Sequence, residues 1–364
     1  MTRLKLLGTV AAATFALPAQ AEVPRVIADI APVHSLVAQV MDGLGTPDLL
    51  IEPGTDAHNL TLRPTVARQL DAANLVVRVG PELTPWLEDP LSSLASDAEI
   101  LTLLDTDGWT PRMYAEADAA HDHAEGEDDH DHDHDEKHDH DHADADHDHE
   151  EHDHADHDHG DHDDDHDHDH AAEGGEDHAV EEAHNHDHDH DHTGLDPHAW
   201  LDPQIAVVWV GAIRDALIEA DPENAGIYTQ NADDATTRLA TLEEDVAEAL
   251  PGSARGTWLA PHDFMGYFGA RFDTPSAAAV AEGDAAAPGP GRVGDLREMV
   301  EDGTVTCVLT ESNTNENRAA TLTEGTSART GFVNATGAGL TPGPDLYSDL
   351  LQQIAATLAE CTAS

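Results

Sequence analysis

The sequence predicts an α/β fold of two lobes, each a small parallel sheet flanked by helices, the two joined by one long helix. Three observations predict it. Short apolar runs alternate with helical patterns up to about residue 105, the same alternation restarts after Pro251, and an uninterrupted helical stretch lies between them. Residues 25–30 read as a strand. Pro32 then opens a helix with Val33, Leu36, Val37 and Val40 on one face, ending near Gly43. Residues 49–51 form a short strand, followed by a loop over 52–62, and Pro64 starts another helix. Residues 75–79 are a buried strand running into Gly80-Pro81, and 99–103 are a further strand. Over 203–220, Ile205, Val208, Trp209, Ala212, Ile213, Ala216 and Leu217 make a helical stripe. Residues 224–250 are charged and Ala-rich with no Pro before Pro251, a helix of roughly 40 Å at 1.5 Å per residue, stiff enough to act as a strut. In the second half, 257–260 and 305–310 read as strands and 292–301 as a helix. A last amphipathic helix over 345–359 carries Leu346, Leu350, Ile354 and Leu358. The expected divisions are a signal peptide at 1–21, an N-terminal lobe at 22–221 carrying an insertion at 118–192, a linking helix at 222–250 and a C-terminal lobe at 251–364.

The insertion is the chemical signature of the chain. Of 28 histidines, 24 lie between His121 and His192, and nearly every neighbour there is Asp or Glu. Imidazole binds zinc, copper and nickel, and carboxylates add hard oxygen donors and negative potential. Strict His-Asp alternation has no apolar face of either period and cannot bury itself, so a disordered metal-handling tract is expected. The formal charge is −59; residues 118–192 supply −33 of it and the remainder −26. A body this acidic argues against nucleic acid as a partner, because nothing in it neutralises phosphate.

The N-terminus has Arg3 and Lys5, an apolar run, and Ala19-Gln20-Ala21, the pattern of a signal peptide cleaved after Ala21. Export makes the two cysteines, Cys307 and Cys361, most simply a disulfide, stabilising by roughly 4 kcal/mol on the chain-entropy model. A pair of soft metal ligands is the alternative.

Four histidines remain. His34 lies in the first turn of a helix and reads as structural or as a surface position near the cleft. His58 follows a strand, in the loop Pro53-Gly54-Thr55-Asp56-Ala57-His58. His198 precedes a helix, in Asp196-Pro197-His198-Ala199-Trp200. His262 follows a strand, in Ala260-Pro261-His262-Asp263-Phe264. Loops at the carboxyl ends of parallel strands face the crevice where α/β proteins bind ligands, and three imidazoles converging there would hold a borderline metal. Glu311, at a strand end facing the same crevice, could hold a ligand imidazole through its other N–H; a salt bridge or a helix-cap neighbour reads equally well. Asp263 has the same two readings.

Together with Val79-Gly80-Pro81-Glu82, the run Leu62-Arg63-Pro64, the segment 196–203 and Gly266-Tyr267-Phe268, these loops resemble the cluster A-I (cluster 9) metal-binding family. Its members are the substrate-binding proteins of zinc and manganese ABC importers. The zinc branch often carries a His-rich acidic loop, and Thr306-Cys307-Val308 with the late Cys361 looks like that branch's disulfide. The resemblance covers nearly the whole mature chain. It implies His58, His198 and His262 as Zn²⁺ ligands between two lobes, a periplasmic monomer, and an ABC permease with its ATPase at the inner membrane as partner. Two departures stand out. Ala57 occupies the place where some zinc members have Glu, and Asn334-Ala335 the place of an Asp-Pro pair. Without that carboxylate the fourth position falls to water or to a side chain of the tract, which disfavours manganese more than zinc.

On this reading the tract gathers metal at many weak sites and the cleft holds one ion tightly. Two others compete with it. One is a metal buffer or resistance protein that works mainly through the tract. The other is a zinc hydrolase, since three histidines and a water are also a catalytic arrangement. No H-E-x-x-H is present, and Gly289-Pro290-Gly291 lacks the Lys-Ser/Thr of a phosphate cradle, so no enzyme is expected.

Overall fold

The computed structural model describes residues 23–114, 194–281, 288–311 and 316–363; the expected signal peptide and the His/Asp-rich insertion lie outside the described residues. The first sheet is built from β1 (Val26–Ala28), β2 (Asp48–Leu49), β3 (Leu75–Arg78) and β4 (Glu99–Thr102). All four are parallel, in the order β2-β1-β3-β4. Ala28 lies opposite both Leu49 and Val77, which brings the carboxyl ends of these strands level. β1 and β3 are buried on both faces, and this is why they read as continuous apolar runs rather than as alternation. The buried exception is Arg78, whose guanidinium reaches Glu88 and, at 3.2 Å, the Thr102 hydroxyl. Just past β1, Asp29 is fully buried and accepts the N–H groups of Ile30 and Val79, both at 2.7 Å. Burial raises its pKa to about 6 against the opposing effect of those bonds.

Helix α1 (Ala31–Val40) has Pro in its first turn and all ten residues buried. Shorter helices α2 (Pro64–Asp71) and α3 (Glu88–Leu94) flank the sheet. α4 (Pro203–Ala220) matches its expected span, and its N-cap Asp202 accepts the Gln204 N–H at 2.8 Å. α5 (Ala225–Ala249) is the long helix. Its buried stripe of Tyr228, Ala232, Ala235, Leu239, Leu242 and Val246 steps by four and three residues in turn. The stripe packs on α1 and α4 from the first half and on a helix from the second. Asn231 Nδ2 donates to the carbonyls of Val40 and Asp42, closing the end of α1.

The second sheet repeats the first. It comprises β5 (Trp258–Ala260), β6 (Ala278–Ala279), β7 (Cys307–Thr310) and β8 (Arg329–Phe332), parallel in the order β6-β5-β7-β8. α6 (Gly266–Arg271), α7 (Pro290–Glu301), α8 (Glu316–Thr323) and α9 (Leu346–Thr362) complete it, α9 being the helix that meets α5. Cys307 on β7 and Cys361 on α9 form the expected disulfide, with Cα atoms 5.4 Å apart. The elements not foreseen are α3, α6, α8 and the edge strands β6 and β8. Each is short, and β8 is largely exposed, so no long apolar run announces it.

Candidate metal-binding cleft

The loops that follow β2, β5, β7 and β8 meet at the carboxyl ends of the two sheets. His58 comes from the loop after β2 and His262 from the loop after β5. Glu311 directly follows β7 and Asn334 lies just past β8. His198 arrives from a 3-10 turn (Ala199–Leu201) that leads into α4. All five line one cavity of about 30 Å³, room for a single ion or water.

The ring centres of His58 and His198 are 5.9 Å apart, and those of His198 and His262 are 5.5 Å apart. Imidazoles sharing one tetrahedral zinc at about 2.0–2.1 Å have ring centres roughly 5 Å apart. The rings therefore gather at the right place with slightly too wide a spacing. Among the described residues, no group of three or more His, Cys, Asp or Glu is arranged, as it stands, to hold a metal ion.

The outer nitrogens of two rings face carboxylates. His198, 2 % exposed, has its Nδ1 2.9 Å from Asp196 Oδ1 and 3.4 Å from the Tyr114 hydroxyl. His262 Nδ1 lies 3.4 Å from Glu311 Oε2, while Glu311 Oε1 accepts the Ala335 N–H at 3.2 Å. An Nδ1–H pointed at a carboxylate leaves the Nε2 lone pair for a metal. His198 also packs against Trp200 and Phe264, with ring centres at 5.1 and 6.0 Å. Sequence reasoning identified Glu311 but missed Asp196 as a partner of His198. The signal was available in the D-x-H spacing, which forms a turn in which Asp196 Oδ1 also accepts the His198 backbone N–H at 2.9 Å.

The His58 loop is held by other means. Asp56 Oδ1 accepts the His58 N–H at 2.9 Å, Trp86 Nε1 donates to the Ala57 carbonyl at 2.8 Å, and the Gly54 N–H donates to the Thr336 hydroxyl at 3.0 Å. Gly54 has φ +80°, a backbone conformation that explains glycine there. Asn334 Oδ1 accepts from the Thr336 N–H, the Thr336 hydroxyl and the Ala338 N–H, so its oxygen builds the loop wall. His34 does not join the cleft: it is buried and its Nε2 donates to the Pro47 carbonyl at 3.0 Å. A larger cavity of about 530 Å³ lies behind the His58 loop, sharing Thr55, but it contains no histidine or cysteine.

The cleft crosses the two halves of the chain. Trp200 Nε1 donates to the Ala335 carbonyl at 2.9 Å, and the Tyr347 hydroxyl donates to the Trp200 carbonyl at 2.7 Å. Arg271 on α6 grips Asp202 with two bonds of 2.7 and 2.9 Å. Burial pushes the Tyr267 hydroxyl up to about 12.

The family model for the zinc-uptake complex component A, periplasmic, matches residues 26–361. The chain belongs to that family. It is 42% identical to the high-affinity zinc uptake system protein ZnuA of Paracoccus denitrificans, over 96% of this chain and 94% of that one. It is 34% identical to the ZnuA of Brucella abortus, over 92% and 91% of the two chains. Among solved structures, a crystal structure of ZnuA matches with a TM-score of 0.66 at 14% identity, over 93% of this chain and 99% of the other, a likeness of fold. The two-lobe α/β architecture expected from the sequence is the fold this solved structure matches. The family is one of transport components, named for the periplasm.

Proposed function

We propose that this chain is a periplasmic carrier that captures Zn²⁺ at His58, His198 and His262 and delivers it, as a monomer and without catalysis, to an ABC permease and its ATPase. The observation that carries the reading is the convergence of three imidazoles, from loops far apart in the sequence, on one ion-sized cavity. The carboxylates of Asp196 and Glu311 lie beside the outward nitrogens of two of them. Family membership and the zinc-uptake names of the relatives support the cargo. Three neutral imidazoles favour zinc over the harder manganese ion, and the fourth position falls to water. On this reading the parts are a leader at 1–21, an N-terminal lobe at 22–221 with its insertion at 118–192, a linking helix at 222–250 and a C-terminal lobe at 251–364.

A competitive Zn²⁺ titration against a chromophoric chelator tests this. The full chain, a version lacking residues 118–192, and each of these with His58, His198 and His262 changed to Ala would be compared. One tight site that survives removal of the tract and disappears in the triple variant supports the carrier. Tight binding that vanishes with the tract alone makes the protein a metal buffer.

A further inference from the structure

The two segments that flank the insertion lie side by side. Met113 and Leu195 form an isolated antiparallel bridge, the Tyr114 N–H donates to the Gly194 carbonyl at 3.1 Å, and the Asp196 N–H donates to the Arg112 carbonyl at 2.9 Å. This short stem runs directly into the cleft, because Asp196 is two residues from His198 and the Tyr114 hydroxyl touches the same ring nitrogen as Asp196.

Asp196 is 2 % exposed and turns both carboxylate oxygens to specific partners. Oδ1 faces the N–H and Nδ1 of His198, and Oδ2 faces Arg112 Nε at 3.8 Å. Tyr267, at the start of α6, clasps the stem from the other half of the chain. Its hydroxyl accepts the Arg112 N–H at 2.8 Å and donates to the Asp196 carbonyl at 3.2 Å. Its ring lies 5.7 Å from the Arg112 guanidinium. A Cβ at Gly266 would stand 2.7 Å from that guanidinium, so glycine there leaves room for the arginine. His262 lies in the loop that opens α6, so one tyrosine joins the segment carrying His198 to the segment carrying His262.

We propose that this stem, Arg112, Tyr114 and Asp196 clasped by Tyr267, is a positioning device that sets the orientation and tautomer of His198, and that the base of the insertion is thereby part of the zinc cleft. The proposal rests on the reading that His198 binds zinc through Nε2. Asp196 holds the ring proton on Nδ1. The Arg112 guanidinium, 3.8 Å from the far carboxylate oxygen and not hydrogen-bonded to it through Nε, draws that oxygen by charge and favours Oδ1 turned to the ring. Tyr267 fixes both strands of the stem. None of the four needs to touch the ion.

The test uses the full chain. Zinc affinity of the tight site would be read by chelator competition, and the His198 tautomer by the ¹⁵N shifts of its ring, assigned by difference from an H198A variant. D196N offers an amide donor to Nδ1 and should move the proton to Nε2, with affinity falling roughly 10–100-fold. R112Q and Y267F should weaken binding less and in the same direction, and R112K should recover part of the loss. The Y114F and Y267F changes keep the aromatic bodies and serve as readouts if D196N fails to fold. Unchanged affinity in D196N, R112Q and Y267F overturns the proposal, as does weakened binding with the ring proton still on Nδ1. An H198A chain that keeps its tight site instead overturns the carrier reading itself, a result distinct from failure of the stem.

Discussion

Two loops of this molecule carry the same three-residue pattern, Asp56-Ala57-His58 and Asp196-Pro197-His198. In both, the aspartate oxygen accepts the histidine backbone N–H at 2.9 Å. Beyond that turn they differ. His198 is buried, packed against Trp200 and Phe264, and its ring nitrogen sits on the same carboxylate that makes the turn. His58 is half-buried, and its loop is pinned at Gly54 and Ala57, on the main chain beside the ring. Identical local turns thus sit in two settings, one buried among aromatic rings and one half-buried in a loop held through its main chain. The ring centres of this pair stand 5.9 Å apart, against 5.5 Å between His198 and His262.

The comparison breaks most directly at the histidines themselves. Changing His198 to Ala is expected to cost more zinc affinity than changing His58 to Ala. Each should exceed the roughly 10–100-fold that loss of an outer hydrogen-bond partner costs. Equal losses in a chelator titration would mean that the two loops are equally rigid. Next in size is E311Q. Its carbonyl oxygen can keep the bond from Ala335, but its charge beside His262 is gone, and a loss near ten-fold is expected. If the loss instead matches that of a ligand, Glu311 itself reaches the metal.

A smaller effect belongs to the loop. W86F removes the N–H that holds the Ala57 carbonyl, a bond worth about 1 kcal/mol, so zinc affinity should fall about fivefold. If the His58 loop closes over a bound ion, the off-rate should change more than the on-rate. Stopped-flow release to a chelator measures it, and a change confined to the on-rate would assign closure to another segment.

The buried strands of both sheets, the long helices and the three histidine loops were legible in the sequence because each carries a strong local signal. These signals are the run of β-branched residues in β3, the four-three stripe of α5, and histidines set beside Pro and Asp. The edge strands of the second sheet were not, since a two-residue Ala pair or the segment RTGF becomes a strand only through the neighbour it pairs with. The stem escaped for the same reason. Arg112 and Asp196 are 84 residues apart in numbering, and only the antiparallel bridge brings them together. Asn334 carries no charge to offer a metal, and its three accepted bonds could not be foreseen without the loop that supplies them.

His34 sharpens the contrast from the opposite side, as a histidine whose environment serves stability alone. Its Nε2–H is committed to the Pro47 carbonyl, and burial lowers its pKa below the ordinary 6.5. Folding therefore favours the neutral ring. The stability it contributes is complete above pH 6.5 and declines as pH falls from there through the lowered value, since the unfolded chain takes up the proton first. H34Q keeps a side-chain donor that does not titrate. It should leave zinc affinity unchanged, cost about 1 kcal/mol of stability at neutral pH, and flatten the loss of stability below pH 6.5. Denaturant unfolding across that range, with chelator present, measures all three. An altered zinc affinity would mean that α1 moves with the cleft, and the division between structural and metal-facing histidines would have to be redrawn.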